Sequence, residues 1–519
     1  MAKTAVLDGM IKRADFAQQE ESATFDLFEK IQITQLESKS PILKLLRKPD
    51  FQRETNHWKP SQIATFIASF ANGDLIPSLI LWKSSSFVFV IDGGHRLSAL
   101  RAWVENDYGD GPISHSFFAG EIPEEQKKIA ARTRREVEKE IGRYSDYVRS
   151  MDVENEGDSA FKLKAAAATI FTKAIPIQWI QGSQEVAEAS FFKINSQGTE
   201  LDKTEELILR NRKKSYALAA RAVVRSGTGH KYWSKFDEPT QTKIEELSGK
   251  LFGALFQPYM SEPIKTLDLP LGGSTSPVDA LKMLIDMFGI VDGKADPTKA
   301  ISELDDDVQG KETIGILKKT DRVVGRLTGN APPSLGLHPA VYFYNDKGKH
   351  SRYLFLGTLK HFAERIGNND DSFFRHFTES RKSLERVLIQ KKAVINQALA
   401  NVNSRQRIDR VSNLLGGLVD YGRRKAKVGN AEILTLLGLQ GKITELKLLD
   451  PPETFSTDTK SAVYLAESLR AANRCPLCDG LLDTAKSASY DHIIQRRSGG
   501  AGSVENCQIT HPYCNSIKE

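Results

Sequence analysis

An α+β chain of several domains is what this sequence predicts, on three observations. Its 519 residues exceed what one compact core organises, so roughly three domains are expected. Short apolar runs alternate with helical periodicity from about residue 25 to 225, and helical periodicity takes over from about 226 to 460. All four cysteines then fall between Cys475 and Cys514. The expected division is 1–225, 226–460 and 461–519.

Composition narrows the class. Apolar residues make up 40% and charged residues 27%, the profile of a globular protein and not of a disordered or fibrous one. No apolar stretch approaches the ~20 residues that span a bilayer, and "MAKTAVLDGMIKRADF" lacks the charged-then-apolar pattern of a secretory signal, so a cytoplasmic protein without a membrane partner is expected. A net charge of +6 is a mild bias and only weak evidence for a polyanionic partner.

In the first region "LIPSLILW" and "FVFVI" read as strands, and "SQIATFIASFA" and "RLSALRAWV" as helices. "EIPEEQKKIAARTRREVEKEIGRYSDYVRS" has the charge density of an exposed helix. "FVFVIDGGHRLSAL" is then a strand, a Gly-Gly turn and a helix start. Its backbone N–H groups and helix dipole favour an anion, and Arg96 in the first turn can fork onto phosphate oxygens. The lysine of a Walker A loop is missing. In "FFKINSQGTELDKTEELILR", Gly198 suits a positive-φ turn, and Asp202 with Glu205 reads as a capping box.

The second region is mainly helical, broken by "DLPLGGSTSP" and "GNAPPSLGLHP". Basic residues from Arg381 to Lys427 crowd into "ESRKSLERVLIQKKAV", "NSRQRIDRV" and "YGRRKAKVG", a stretch suited either to a phosphate backbone or to an ordinary solvated surface. "PPETFSTDTKS" reads as a linker.

The last region carries the densest chemistry. "CPLC" gives Cys475 and Cys478 the spacer that lets both sulfurs of a tight turn face one ion, and "HPYC" repeats it with His511 and Cys514. Together they make a Cys3His set for a closed, structural zinc. Cys507 is left over and reads as a small buried apolar residue, with a substitution for His511 still open. Asp491, His492, Asn506 and Asn515 remain. These oxygen donors and one imidazole are what magnesium-assisted phosphodiester cleavage uses.

Over roughly the last 45 residues the chain resembles the HNH, or ββα-metal, nucleases with an integral zinc knuckle, on the ordered appearance of aspartate-histidine, "GG", asparagine and "CN..K". The resemblance implies that His492 is the general base, that Asp491 and Asn515 hold Mg2+ or Mn2+ at the scissile phosphate, and that Asn506 orients His492. Arg496 and Arg497 are candidates for phosphate contact.

From about 30 to 215, "FQRETNHWKPSQIATFIASFANGDLIPSLILW", "DGGHR" and "FFKIN" in order resemble the GmrSD-type N-terminal domain, known by its DGQQR motif and similar in fold to ParB and sulfiredoxin. That likeness implies a nucleoside triphosphate, GTP or another, bound or hydrolysed by Asp92, Gly93, Gly94, His95 and Arg96, with Gln52, Arg53 and Asn195 lining the cavity. The departure from DGQQR leaves an anion site but weakens the case for hydrolysis. The combination resembles type IV-like and SspE-like phage-defence nucleases and implies double-stranded DNA, modified or not, as substrate. One active site per chain suits a homodimer. The rival expectation is a nucleotide-gated, ParB-like DNA-binding clamp whose zinc knuckle serves only for grip.

Overall fold

The structure is a computed structural model that describes residues 4–16, 26–52, 58–118, 120, 122–152, 158–197, 202–227, 229–273, 276–441 and 454–518. Contacts group the chain into two compact units, 1–212 with 228–232, and 213–227 with 233–519.

The first unit is built on one sheet. Its strands are β1 (Arg13–Ala14), β2 (Lys30–Gln32), β3 (Leu46–Pro49), β4 (Leu79–Lys83), β5 (Val88–Asp92) and β6 (Ala174–Ile180), in the order β1-β3-β5-β4-β6-β2. β4 and β5 form an antiparallel hairpin, while β3–β5 and β4–β6 run parallel. The hairpin turns at "SSSF", where the Ser84 hydroxyl accepts the N–H groups of Ser86 and Phe87 at 3.3 and 2.9 Å. Alternation along the hairpin splits the core in two, because successive side chains leave opposite faces of a strand. Leu79, Leu81, Val88 and Val90 bury against the helices Pro60–Ala71 and Gly94–Val104. Trp82, Phe89 and Ile91 bury on the other side with Phe16, Phe51, Phe191 and Leu209. The strands and helices read from the sequence here are present.

The second unit is helical apart from one hairpin among its described residues. The helices Arg352–Gly367, Asp371–Gln390 and Ser404–Arg423 pack together, as do Glu238–Phe256 and Lys311–Leu327. The hairpin is β7 (Ser489–His492) against β8 (Cys507–Thr510), followed by the helix Pro512–Ser516, which makes a ββα unit. The class is therefore α+β.

Two readings are corrected. Arg381, counted in the basic stretch, is 1% exposed and ion-paired with Glu385, so it offers nothing to a phosphate backbone. Cys507 is exposed rather than buried, because its strand position faces outward, opposite His492. The "PPETFSTDTKS" linker lies partly outside the described residues; the described part leads into the helix Thr457–Ala471, capped by Ser456.

Candidate metal centre and nuclease site

The residues expected to bind zinc converge. In "CPLCDG" the Asp479 N–H reaches the Cys475 carbonyl at 2.7 Å and the Cys475 N–H reaches the Gly480 carbonyl at 2.9 Å, which closes a tight turn with both sulfurs on one side. His511 caps the helix Pro512–Ser516, so Cys514 in its first turn returns to the same point. The donor atoms of Cys475, Cys478, His511 and Cys514 lie within 4.8 Å of one another. Packed together, the thiols divide their protons. Hydrogen bonds from Cys478 and Cys514 push the Cys475 thiol far down, and the same sharing pushes Cys478 up to about 11 and Cys514 higher. A dication takes the place of those protons and makes all three thiolates, so the donor set fits zinc. Burial, helped by the Arg381 charge, lowers the His511 pKa and keeps the imidazole neutral, as a ligand must be. Its Nδ1 lies 3.3 Å from the Cys478 sulfur, while Nε2 meets the Leu481 carbonyl at 3.0 Å. That second bond places the proton on Nε2 and leaves the Nδ1 lone pair for the metal.

The remaining residues gather along β7. Asp491 is 7% exposed, and its Oδ2 accepts Gln508 at 2.7 Å and the Lys518 ammonium at 2.8 Å. Asn515 donates through Nδ2 to the Ser489 hydroxyl at 2.7 Å and the Tyr490 carbonyl at 3.3 Å. Ser489 and Asp491 share one face of β7, so the C-terminal helix and the carboxylate stand together. Among the described residues, neither Asp491 Oδ1 nor Asn515 Oδ1 has a protein partner. These are two hard oxygens of the kind a divalent ion takes alongside water and phosphate, so the donor chemistry fits magnesium or manganese. His492, on the opposite face, is half-buried, and its Nε2 accepts the Arg496 guanidinium at 3.4 Å.

Asn506 does not touch the imidazole. Its amide accepts from the Ile494 N–H at 2.6 Å and donates to the carbonyls of Ile494 and Ala501 at 3.1 and 2.7 Å. These bonds close the loop that leaves His492. Arg497 donates to the side chain of Gln495. Lys518 and Gln508 were not read as site residues. The lysine of "CN..K" was the available signal, since it follows Asn515 by three residues.

In the first unit, "DGGHR" ends β5 and opens the helix Gly94–Val104. Gly93 takes φ +97°, and a Cβ there would meet Leu79 at 2.3 Å, so only glycine makes this turn. A cavity of about 400 Å³ lies over it, lined by Gln52, Trp58, Phe66 and Asp92 to Arg96. Trp58 stacks on His95 with centroids 5.7 Å apart. Gln52 donates to the Ile91 carbonyl at 3.3 Å, and among the described residues its buried Oε1 has no partner. Arg53 lies outside the described residues. Asn195 falls within the helix Gln184–Gln197.

Arg96 lines the same cavity and is also anchored within the protein. Its guanidinium pairs with Asp92 and donates to the Pro77 carbonyl and, at 3.2 Å, to that of Ser78. It thus ties the entry of β4 to the helix start. Arg96→Met should lower the stability of the first unit by about 1 kcal/mol, through loss of the hydrogen bonds to Pro77, Ser78 and Asp92. Denaturant melts, with hydrogen exchange assigning the loss to residues around Pro77 and Ser78, check this; a wild-type melt would exclude the clamp.

Comparison with known families agrees with the geometry. Residues 24–212 match the model of the GmrSD restriction endonuclease, N-terminal domain, and residues 475–519 match that of the HNH endonuclease. The two matches support a restriction-type nuclease. They lie in the order of a GmrSD-type N-terminal domain joined to a C-terminal HNH domain. Neither the curated proteins nor the solved structures gave a match. No described helix is long and apolar enough to cross a membrane.

Proposed function

We propose that this chain cuts or nicks double-stranded DNA in an anti-phage restriction system, with nucleotide binding or DNA modification sensed by the N-terminal domain. One observation supports the reading: Asn515 docks on β7 beside Asp491, and among the described residues each side chain keeps one oxygen without a protein partner. Those two oxygens would hold Mg2+ or Mn2+. When bound, the ion supplies Lewis-acid stabilisation of the phosphate's developing charge. His492 takes a proton from the attacking water, and its half-buried ring, with Nε2 acting as an acceptor, suits that role. Arg496 and Lys518 add positive charge beside the phosphate. Zinc in the Cys3His cluster keeps the scaffold in shape.

In the N-terminal cavity, the first N–H groups of the helix Gly94–Val104 offer an anion site, and the Trp58–His95 stack offers a flat wall for a base. GTP or another nucleoside triphosphate is the proposed occupant, with Arg96 shaping the site through Asp92. Two chains together would cut both strands. The domains would divide the work as sensor (1–225), helical middle (226–460) and nuclease (461–519).

The test is conversion of supercoiled plasmid, unmodified or base-modified, by the full chain with magnesium, manganese or EDTA, and with each nucleotide in turn. Cleavage that needs the metal is expected. Intact plasmid in every metal arm would overturn the assignment, and equal cutting in EDTA would overturn the metal role.

A further inference from the structure

The zinc centre reaches outside the matched HNH segment. Glu385, on the helix Asp371–Gln390, is 1% exposed, yet both of its oxygens are used. Oε1 accepts Arg381 Nε at 2.7 Å and the Tyr342 hydroxyl at 3.0 Å. Oε2 accepts the N–H of Leu481 at 2.6 Å. The carbonyl of that same Leu481 accepts from His511 Nε2, the bond that leaves Nδ1 for the metal.

We infer that Glu385 is a positioning residue of the zinc centre, holding Leu481 by its N–H so that the Leu481 carbonyl selects the metal-binding tautomer of His511. Metal-bound histidines commonly donate their other N–H directly to a carboxylate or a carbonyl. Here the carbonyl does so, and a carboxylate from a distant helix fixes the residue that bears it.

The surroundings are built for this. Arg381 neutralises Glu385 and donates to the carbonyls of Leu335 and Gly336, the latter at 2.8 Å. The guanidinium lies flush on the knuckle, since a Cβ on Gly480 would come within 2.5 Å of Arg381 Nε. The loop that supplies those carbonyls also binds the nuclease segment: the Ser334 carbonyl accepts the Tyr513 N–H at 2.9 Å, and Asn330 accepts the Ala488 N–H at 2.9 Å. Zinc retention is therefore tied to folding of the helical region, which holds the carboxylate. This inference stands on the Cys3His cluster and not on DNA cleavage.

The full chain is loaded with zinc, and its release to the chromophoric chelator 4-(2-pyridylazo)resorcinol is timed. Glu385→Ala should release zinc tenfold or more faster than wild type, and Glu385→Gln, which keeps an acceptor for Leu481, should fall between the two. Unchanged release overturns the inference. A residue that merely supports folding would speed release whatever the ligands are, so the comparison is repeated with His511→Cys, whose thiolate has no tautomer to select. Glu385→Ala should then change release less than twofold, and equal acceleration in both backgrounds overturns the inference. If His511→Cys holds no zinc, cobalt-loaded wild type and Glu385→Ala are compared. Altered visible bands are expected from a displaced nitrogen ligand, and identical spectra overturn the inference.

Discussion

His492→Ala should lower plasmid nicking by roughly 10²–10⁴-fold at saturating metal while leaving DNA binding nearly unchanged. The imidazole is the candidate base on β7, and among the described residues its one side-chain contact is the long bond from Arg496. Its removal therefore takes away a proton acceptor without opening the core. The strand should survive, because its register is fixed by backbone pairing with β8 and by Asn515 on Ser489 and Tyr490. Gel retention of the same DNA, with cleavage blocked by calcium, separates the two effects. Wild-type nicking would return His492 to a surface role and exclude it as the base. Loss of both binding and nicking would show that the ring grips DNA and does not act as a base.

How much of this was legible in advance depended on the range of the interaction. The zinc ligands could be read because a two-residue spacer in a tight turn fixes two sulfurs locally, and "CPLC" and "HPYC" each state half of a site. The β5–turn–helix around Gly93 was legible for the same reason, since periodicity and Gly-Gly are local signals. Partners supplied by distant segments were hidden. Arg381 reads as one of many surface cations because nothing in "ESRKSLERV" shows that Glu385 meets Leu481, 96 residues on. The acceptors of Arg96 within the protein were hidden because the carbonyls of Pro77 and Ser78 belong to backbone that carries no sequence label. The loop groups that Asn506 meets were hidden as well, since they depend on the orientation of the Ile494 peptide. Cys507 was misread because cysteine is usually buried, whereas strand alternation put it outside.

Cys514→Ser should abolish cleavage and release the zinc, an effect larger than loss of the base because it removes the scaffold. Structural zinc sites of this size contribute on the order of 10 kcal/mol to the folding of their domains. Apart from their contacts with Glu385, Asn330 and Ser334, the local elements are too short to hold themselves. β7 and β8 have four residues each, the final helix has five, and isolated helices and hairpins that short are marginal in water. Cys514 is 3% exposed and lies beside Asn515, so displacing it moves the amide that docks on β7. The neutral serine hydroxyl replaces a thiolate, so zinc would be left with three ligands from the protein. Metal content by mass spectrometry and nicking should therefore fall together, whereas the fold of the first unit, 1–212 with 228–232, and the nucleotide binding proposed for it should be retained. A zinc-free Cys514→Ser that still nicks plasmid at the wild-type rate would show that the ββα unit is held by its packing on the Asp371–Gln390 helix alone, through Glu385 and the loop at Ser334.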